Sequence, residues 1–203
     1  MYMKDLFKGL HYRSPNVYNF LDFVKLGFDV NRRYTIAAKH IRPGEAVLDV
    51  CSGTGALKGF LPSGCSYQTL EASDQFCKIL KKKGIPYVCC NLHQGIENIP
   101  ASEVIVMIIS LAQFRKTSAG LLLEHFKNIA KRVIIIEEVL NKPRSEENLY
   151  QRTVNYLCAQ DYYVPTSWFT GQEFSQLMTS HGYQCQKMTE RYWVGTYDQN
   201  SLG

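Results

Sequence analysis

Apolar and polar residues fall along this chain in short blocks, and five of the blocks share one character. Ala46 to Val50, Tyr67 to Leu70, Tyr87 to Cys90, Val104 to Ile109 and Val133 to Ile136 are brief runs rich in β-branched residues. Helical stretches separate them, and that alternation predicts a parallel sheet wound through strand–helix–strand crossovers. The first, fourth and fifth runs are apolar without alternation, the pattern of strands covered by helices on both faces. They are assigned to the centre of the sheet.

The helical stretches have their own periodicity. Asp74 to Lys83 reads as a helix closed by Gly84, with Lys81, Lys82 and Lys83 in the last turn, where cations complement the helix dipole. Ala119 to Lys131 reads as another, with Leu122, Leu123, Phe126 and Ile129 on one apolar face. Upstream, Val17 to Ile41 looks helical with an interruption near Gly27. Past the fifth run, Glu146 to Gln160 and Thr170 to Tyr183 look like two further helices. Gln184 to Asp198 alternates around Met188, Tyr192 and Val194 in the manner of one or two terminal strands. With no repeat or linker in view, residues 1–203 form one domain, with a helical cap over 1–42 and an inserted cap segment over 143–170.

Composition narrows the class of molecule. A chain of 203 residues that is 45% hydrophobic is large enough to bury a core, which excludes disordered and fibrous classes. Its formal net charge of +5 is scattered along the whole length, so it offers a mild attraction for anions but no dedicated nucleic-acid arm. Seven cysteines make an odd number with no even framework, and Met1 to Asp5 lacks the basic-then-apolar order of a signal peptide. The thiols are therefore expected to be reduced and the protein cytoplasmic. Val104 to Ala112, the longest apolar stretch, is too short to span a bilayer, so any membrane contact is expected to be peripheral.

The segment that carries chemistry is Val47-Leu48-Asp49-Val50-Cys51-Ser52-Gly53-Thr54-Gly55-Ala56-Leu57, a buried strand entering a glycine turn and then an apolar helix start. Glycines at 53 and 55 allow a tight turn and the approach of a ligand to main chain. A dinucleotide fingerprint would place a third glycine at position 58, where this chain has Lys58. Asp49, beside the loop, can orient its amides and suits a ligand bearing an ammonium group. A nucleoside site of this type also needs an acid at the end of the next strand to accept both ribose hydroxyls, and Glu71 stands there. Together these features favour S-adenosylmethionine (SAM) over NAD.

With these motifs the sequence resembles class I SAM-dependent methyltransferases, and among them the ubiquinone/menaquinone-biosynthesis branch and related small-molecule enzymes. The likeness runs through Val17 to Leu21, Gly27 to Arg33, the Asp49 loop, Glu71-Ala72-Ser73, Ile109-Ser110 and Glu137 to Pro143. It implies a Rossmann-like α/β sheet, mostly parallel, of about seven strands with the last antiparallel, helices on both faces and a helical cap. It also implies that Cys51, Gly53, Thr54 and Gly55 line the methionine and ribose portion of SAM. Glu71 would take the ribose hydroxyls, Ala72 one face of adenine, Asn91 and Leu92 the adenine edge, and Ser110 the methionine end or the acceptor. Tyr18 and Arg33 would close over the cofactor from the N-terminal helices. Cys51 fills the family's first glycine position, Asn91 replaces the usual Asp, and Ser110 to Arg115 does not reproduce the quinone branch's motif.

The expected function is methyl transfer from SAM to a small apolar or aromatic acceptor. Glu137, Glu138, Tyr162, Tyr163 and His11 are candidates for the acceptor side, and none stands out as a base. Tyr12, Tyr18, Phe20 and Phe23, with Tyr156, Tyr162, Tyr163, Trp168 and Phe169, are expected to line an apolar chamber poor in clustered Arg and Lys. Cys51 is read as a spacer, because no His or Lys adjoins it in sequence to generate a thiolate. Cys89 and Cys90 read as strand residues, and Cys90 with His93 lacks the second ligand pair that a metal site demands, so no metal is expected. An RNA methyltransferase and a non-catalytic SAM-binding protein are the competing readings.

Overall fold

A computed structural model describes residues 27–140 and 168–202. His11, Tyr12, Tyr18, Phe20, Phe23, Tyr156, Tyr162, Tyr163, the expected helix at Glu146 to Gln160 and most of both caps lie outside the described residues.

The strands are β1 (Ala46–Val50), β2 (Ser66–Glu71), β3 (Tyr87–Cys89), β4 (Ser102–Ile108), β5 (Ala130–Leu140), β6 (Phe169–Thr170), β7 (Gln184–Lys187) and β8 (Tyr192–Asp198). The helices are α1 (Arg32–Lys39), α2 (Asp74–Lys82), α3 (Ala119–Ile129) and α4 (Gly171–Ser180). Seven strands follow the order β3-β2-β1-β4-β5-β8-β7, and β6 pairs with the end of β5 off that path. The pairs among β1 to β5 are parallel, while β8 runs antiparallel to both β5 and β7. This is the expected mostly parallel sheet, with an eighth strand of only two residues added. No helix among the described residues is long and apolar enough to cross a membrane.

Alternation within the central strands explains why both faces are covered. Leu48, Ile105, Met107, Val133 and Ile135 point to one face, where Leu122, Leu123 and Phe126 of α3 and Phe174 and Met178 of α4 complete a core. Val47, Val104, Val106, Ile134 and Ile136 point to the other, against Ile36 and Ala37 of α1 and Leu80 of α2. Odd and even positions are equally apolar because each meets a helix layer.

Three boundaries differ from the sequence reading. β5 spans eleven residues, not the apolar four, because β8 pairs with it from Arg132 to Glu138 and draws the polar flanks into the ladder. α3 stops at Ile129, since Ala130 is already extended and opens β5. The apolar stretch after the glycine turn forms a single 3-10 turn, Ala56–Phe60, instead of an α-helix. It ends at Leu61, whose extended backbone suits the residue before Pro62.

Candidate active site

All the candidate cofactor residues that the structure describes, Arg33 apart, gather at or just beyond the carboxyl ends of β1 to β4, where ligands bind in open α/β sheets. β1 leads into a loop with three left-handed residues: Cys51 at φ 58°, Gly53 at φ 57° and Gly55 at φ 69°. For Cys51 that conformation costs about 1–2 kcal/mol, the reason glycine suits the position. The two glycines do different work. A Cβ on Gly53 would meet nothing within 4 Å, so that position faces open space. A Cβ on Gly55 would come to 2.8 Å from Leu80 Cδ2 and 2.9 Å from Ile85 Cδ1, so its bareness serves packing against buried side chains. Gly55 is thus bare for packing, where the sequence reading gave both glycines to the turn and to the approach of a ligand.

Glu71, at the end of β2, is buried and joins two segments. Its Oε2 accepts a hydrogen bond from the Gly53 amide at 2.7 Å, and its Oε1 accepts from the amides of Ala72 at 2.9 Å and Ser73 at 2.8 Å. One carboxylate therefore fixes the β1 loop and the β2 turn as a single cradle. A carboxylate offers about four lone-pair sites, and these amides take three of them. The Thr54 carbonyl accepts from Lys83 Nζ at 2.8 Å, which ties the outside of the loop to the end of α2.

Asp49 sits one turn of strand below and is also buried. It accepts a 2.5 Å hydrogen bond from the Tyr67 hydroxyl. Burial raises its carboxyl pKa to about 7; the Tyr67 bond opposes that shift and the nearby Glu71 charge adds to it. The loop amide of Gly53 donates to Glu71 and not to Asp49, so the loop-orienting role expected of Asp49 passes to Glu71.

The remaining wall comes from the loops after β3 and β4. Asn91 Oδ1 accepts from the His93 amide at 3.0 Å, which makes Asn91 a turn-former in the loop after β3. The Leu92 side chain is buried in the core, leaving only its main chain for a ligand. His93 stacks on Phe114 with ring centroids 4.4 Å apart, and burial holds its imidazole below the usual range. After β4, Ile109 adopts φ 51°, an uncommon state for a β-branched residue, and delivers the buried Ser110. The following 3-10 turn is held by Glu137, fully buried, which accepts from the amides of Ala112 and Glu138, each at 3.1 Å. Glu137 is thus a structural brace for the β4 loop.

Beyond it, Glu138 pairs directly across the sheet with Tyr192, placing both side chains on the α1 face. Arg191 Nε lies 3.8 Å from Glu138 Oε1. Arg33, buried on α1, donates to the Tyr34 hydroxyl at 3.2 Å and lies near enough for its charge to act on the Tyr192 phenol. That places Arg33 toward the β5–β8 end of the site. Phe169 packs into the core against Phe174, so it is no chamber ring; Trp168 is half-buried. Its carbonyl accepts from Arg115, which also pairs with Glu173 and thereby links the β4 loop to the start of α4.

Comparison with known proteins agrees with this geometry. The family model described as methionine biosynthesis protein MetW matches residues 31–174. The chain belongs to the MetW family. A search of the curated proteins gave no match. Among solved structures, the mitomycin 7-O-methyltransferase MmcR superposes with TM-score 0.64 at 14% identity, covering 95% of this chain and 60% of its own. Human N-acetylserotonin methyltransferase in complex with SAM gives TM-score 0.66 at 16% identity, covering 94% of this chain and 58% of its own. A possible histamine N-methyltransferase from Thermotoga maritima gives TM-score 0.66 at 15% identity, with 95% and 99% covered. The chain spans about three fifths of the length of the first two. This MetW-family chain therefore has the class I SAM-dependent methyltransferase fold, whereas its likeness to the quinone-biosynthesis branch gains no support from these matches.

The sequence named Glu71 and Gly53 as candidates but did not single out Tyr192, which the structure sets beside Glu138 at the same edge of the sheet. Nothing in the local sequence marks it, because its place beside Glu138 arises from the register of β5 with β8.

Proposed function

We propose that this chain transfers a methyl group from SAM to a small, largely apolar or aromatic acceptor. The observation that carries the reading is the Glu71 carboxylate, which binds the Gly53 amide and the Ala72 and Ser73 amides at once. Those contacts make the glycine loop and the ribose acid one rigid unit, with open space over Gly53.

In this reading Glu71 holds the ribose hydroxyls, while Gly53, Thr54 and the Cys51 main chain flank the methionine portion. Asp49 faces the ammonium group, Ala72 and Asn91 with the Leu92 main chain border adenine, and Ser110 approaches the methionine end. SAM supplies an electrophilic methyl group whose thioether leaving group needs no proton. The chain's task is accordingly alignment in a water-poor site, more than acid catalysis. The braced β4 loop and the Glu138–Tyr192 pair stand on the acceptor side, as do Tyr162, Tyr163 and His11 by sequence order. The methionine-biosynthesis description of the family fits a metabolite acceptor. Scattered positive charge gives no reason to expect a nucleic-acid partner. Seven cysteines without a pairing pattern suit a reducing compartment, which supports a cytoplasmic location.

The test is to incubate the protein with methyl-labelled SAM and either fractionated small metabolites or total RNA. Label in a low-mass organic-soluble product is the expected result. Label in RNA, with steeply salt-dependent binding, would favour the nucleic-acid reading. Cofactor binding without turnover on any fraction would favour a non-catalytic role.

A further inference from the structure

Tyr67, on β2, pairs with Val47 in the β1–β2 register, so its side chain shares a face of the sheet with Asp49 two residues further along β1. Both residues are buried. The ring reaches toward the carboxyl edge, and its hydroxyl donates to Asp49 Oδ2 at 2.5 Å. That hydroxyl oxygen would lie 3.8 Å from a Cβ on Gly55, so the tip of the ring sits beneath the glycine turn. Other charged or titratable groups stand around the pair. Among the described residues these are Glu71 at the end of β2, Tyr34 and its neighbour Arg33 on α1, and Lys83 with the exposed Lys58 beyond the loop. On the other side, β4 sets the apolar Val106 beside Asp49. Burial and the Asp49 charge push the Tyr67 phenol far above its usual range, so the hydroxyl stays protonated and donates. Burial and the Glu71 charge favour the protonated Asp49, and the Tyr67 bond opposes both by favouring the carboxylate.

A buried acid attracts a cation only while it is ionised, and a proton competes with the cation for it. Among the described residues, the Tyr67 hydroxyl is the group that donates a hydrogen bond to Asp49. We infer that Tyr67 is a positioning residue of the cofactor site, whose hydroxyl holds the Asp49 carboxylate ionised and in place for the ammonium group of SAM. The inference rests on the proposed methyltransferase function and on the place it gives Asp49. Tyr67 acts through Asp49 and touches no ligand. Its bond therefore sets the pH at which the cofactor is held: without it Asp49 keeps its proton to higher pH, and the rise of affinity with pH moves the same way.

S-adenosylhomocysteine (SAH), which carries the same ammonium group, is the probe. It is titrated by calorimetry across the pH range into the wild type and Tyr67→Phe, with thermal melts to check folding. Loss of a hydrogen bond to a charged group should move the rise in affinity upward by on the order of one pH unit. The variant should then bind SAH roughly tenfold more weakly at about pH 6.5 and within about twofold of wild type at about pH 8.5. A protein carrying 3-fluorotyrosine at position 67, a stronger donor of nearly the same shape, should shift the rise the opposite way. A brace without influence on Asp49 would lower affinity by one factor at every pH. That result, an unchanged profile in Tyr67→Phe, or a wild-type profile flat with pH would overturn the inference while leaving the methyltransferase reading in place. Should Tyr67→Phe fail to fold, the fluorinated protein decides, and an unshifted profile there overturns the inference. Failure of the wild type to bind SAH would overturn both readings.

Discussion

Burial holds the Asp49 carboxyl at about 7, against 3.8 for an exposed one, so near neutral pH it exchanges its proton readily. The folded state binds the proton more tightly than the unfolded state. Its contribution to stability is therefore fully present below pH 3.8 and is lost as pH rises through about 7. Asp49→Asn should accordingly melt higher than wild type at pH 8, with the difference shrinking toward pH 4, as thermal melts across that range would show. If Asp49 faces the ligand's ammonium group, binding must favour its charged form. SAH affinity should then rise between pH 5.5 and 7.5 and level off above, with proton release visible by calorimetry in buffers of different ionisation enthalpy. A flat profile would remove Asp49 from the ammonium site. Cys51, strained at φ 58°, is a spacer in this account, so Cys51→Ala should keep both SAH binding and methyl transfer. Lost turnover with intact binding would point to covalent chemistry instead.

At the scale of elements, the glycine turn separates packing from recognition. Gly53→Ala places its methyl in open space and costs about 1–2 kcal/mol through its left-handed backbone, so the chain should fold yet bind SAH poorly. Gly55→Ala drives a methyl against Leu80 and Ile85, so its main effect should be destabilisation of about 1–3 kcal/mol. Denaturant melts and SAH titrations of the two variants would separate the effects. Much of the element plan was legible in the sequence, because central strands and amphipathic helices write their periodicity locally: β1 and α2 fall within a residue of their expected bounds. What escaped was set by partners distant in sequence. The length of β5 depends on β8, β6 exists because Phe169 finds Val139, and the 3-10 turn after Gly55 yields to Pro62. The candidate site divides the same way: the place of Glu71 beside the loop was legible from its spacing, while the pairing of Glu138 with Tyr192 became visible only through strand register.

Across the whole molecule, the sheet divides the labour between its two sides. β1, β2 and β3 carry the cradle of Gly53, Glu71 and Asn91, whereas β4, β5 and β8 carry Ser110, Glu138 and Tyr192. Glu137 and Arg115 brace the second side by holding the β4 loop to β5 and to α4. The central claim is that the cradle binds the SAM nucleoside through Glu71. Calorimetric titration of SAH into the wild type, Glu71→Gln and Glu71→Ala tests it most directly. The account predicts one site per chain and a loss for Glu71→Ala of about 1.5–3 kcal/mol, or roughly ten- to hundredfold in affinity. Glu71→Gln, which keeps one acceptor oxygen, should fall between the two. Undiminished affinity in a folded Glu71→Ala, or no binding of SAH to the wild type, would contradict it.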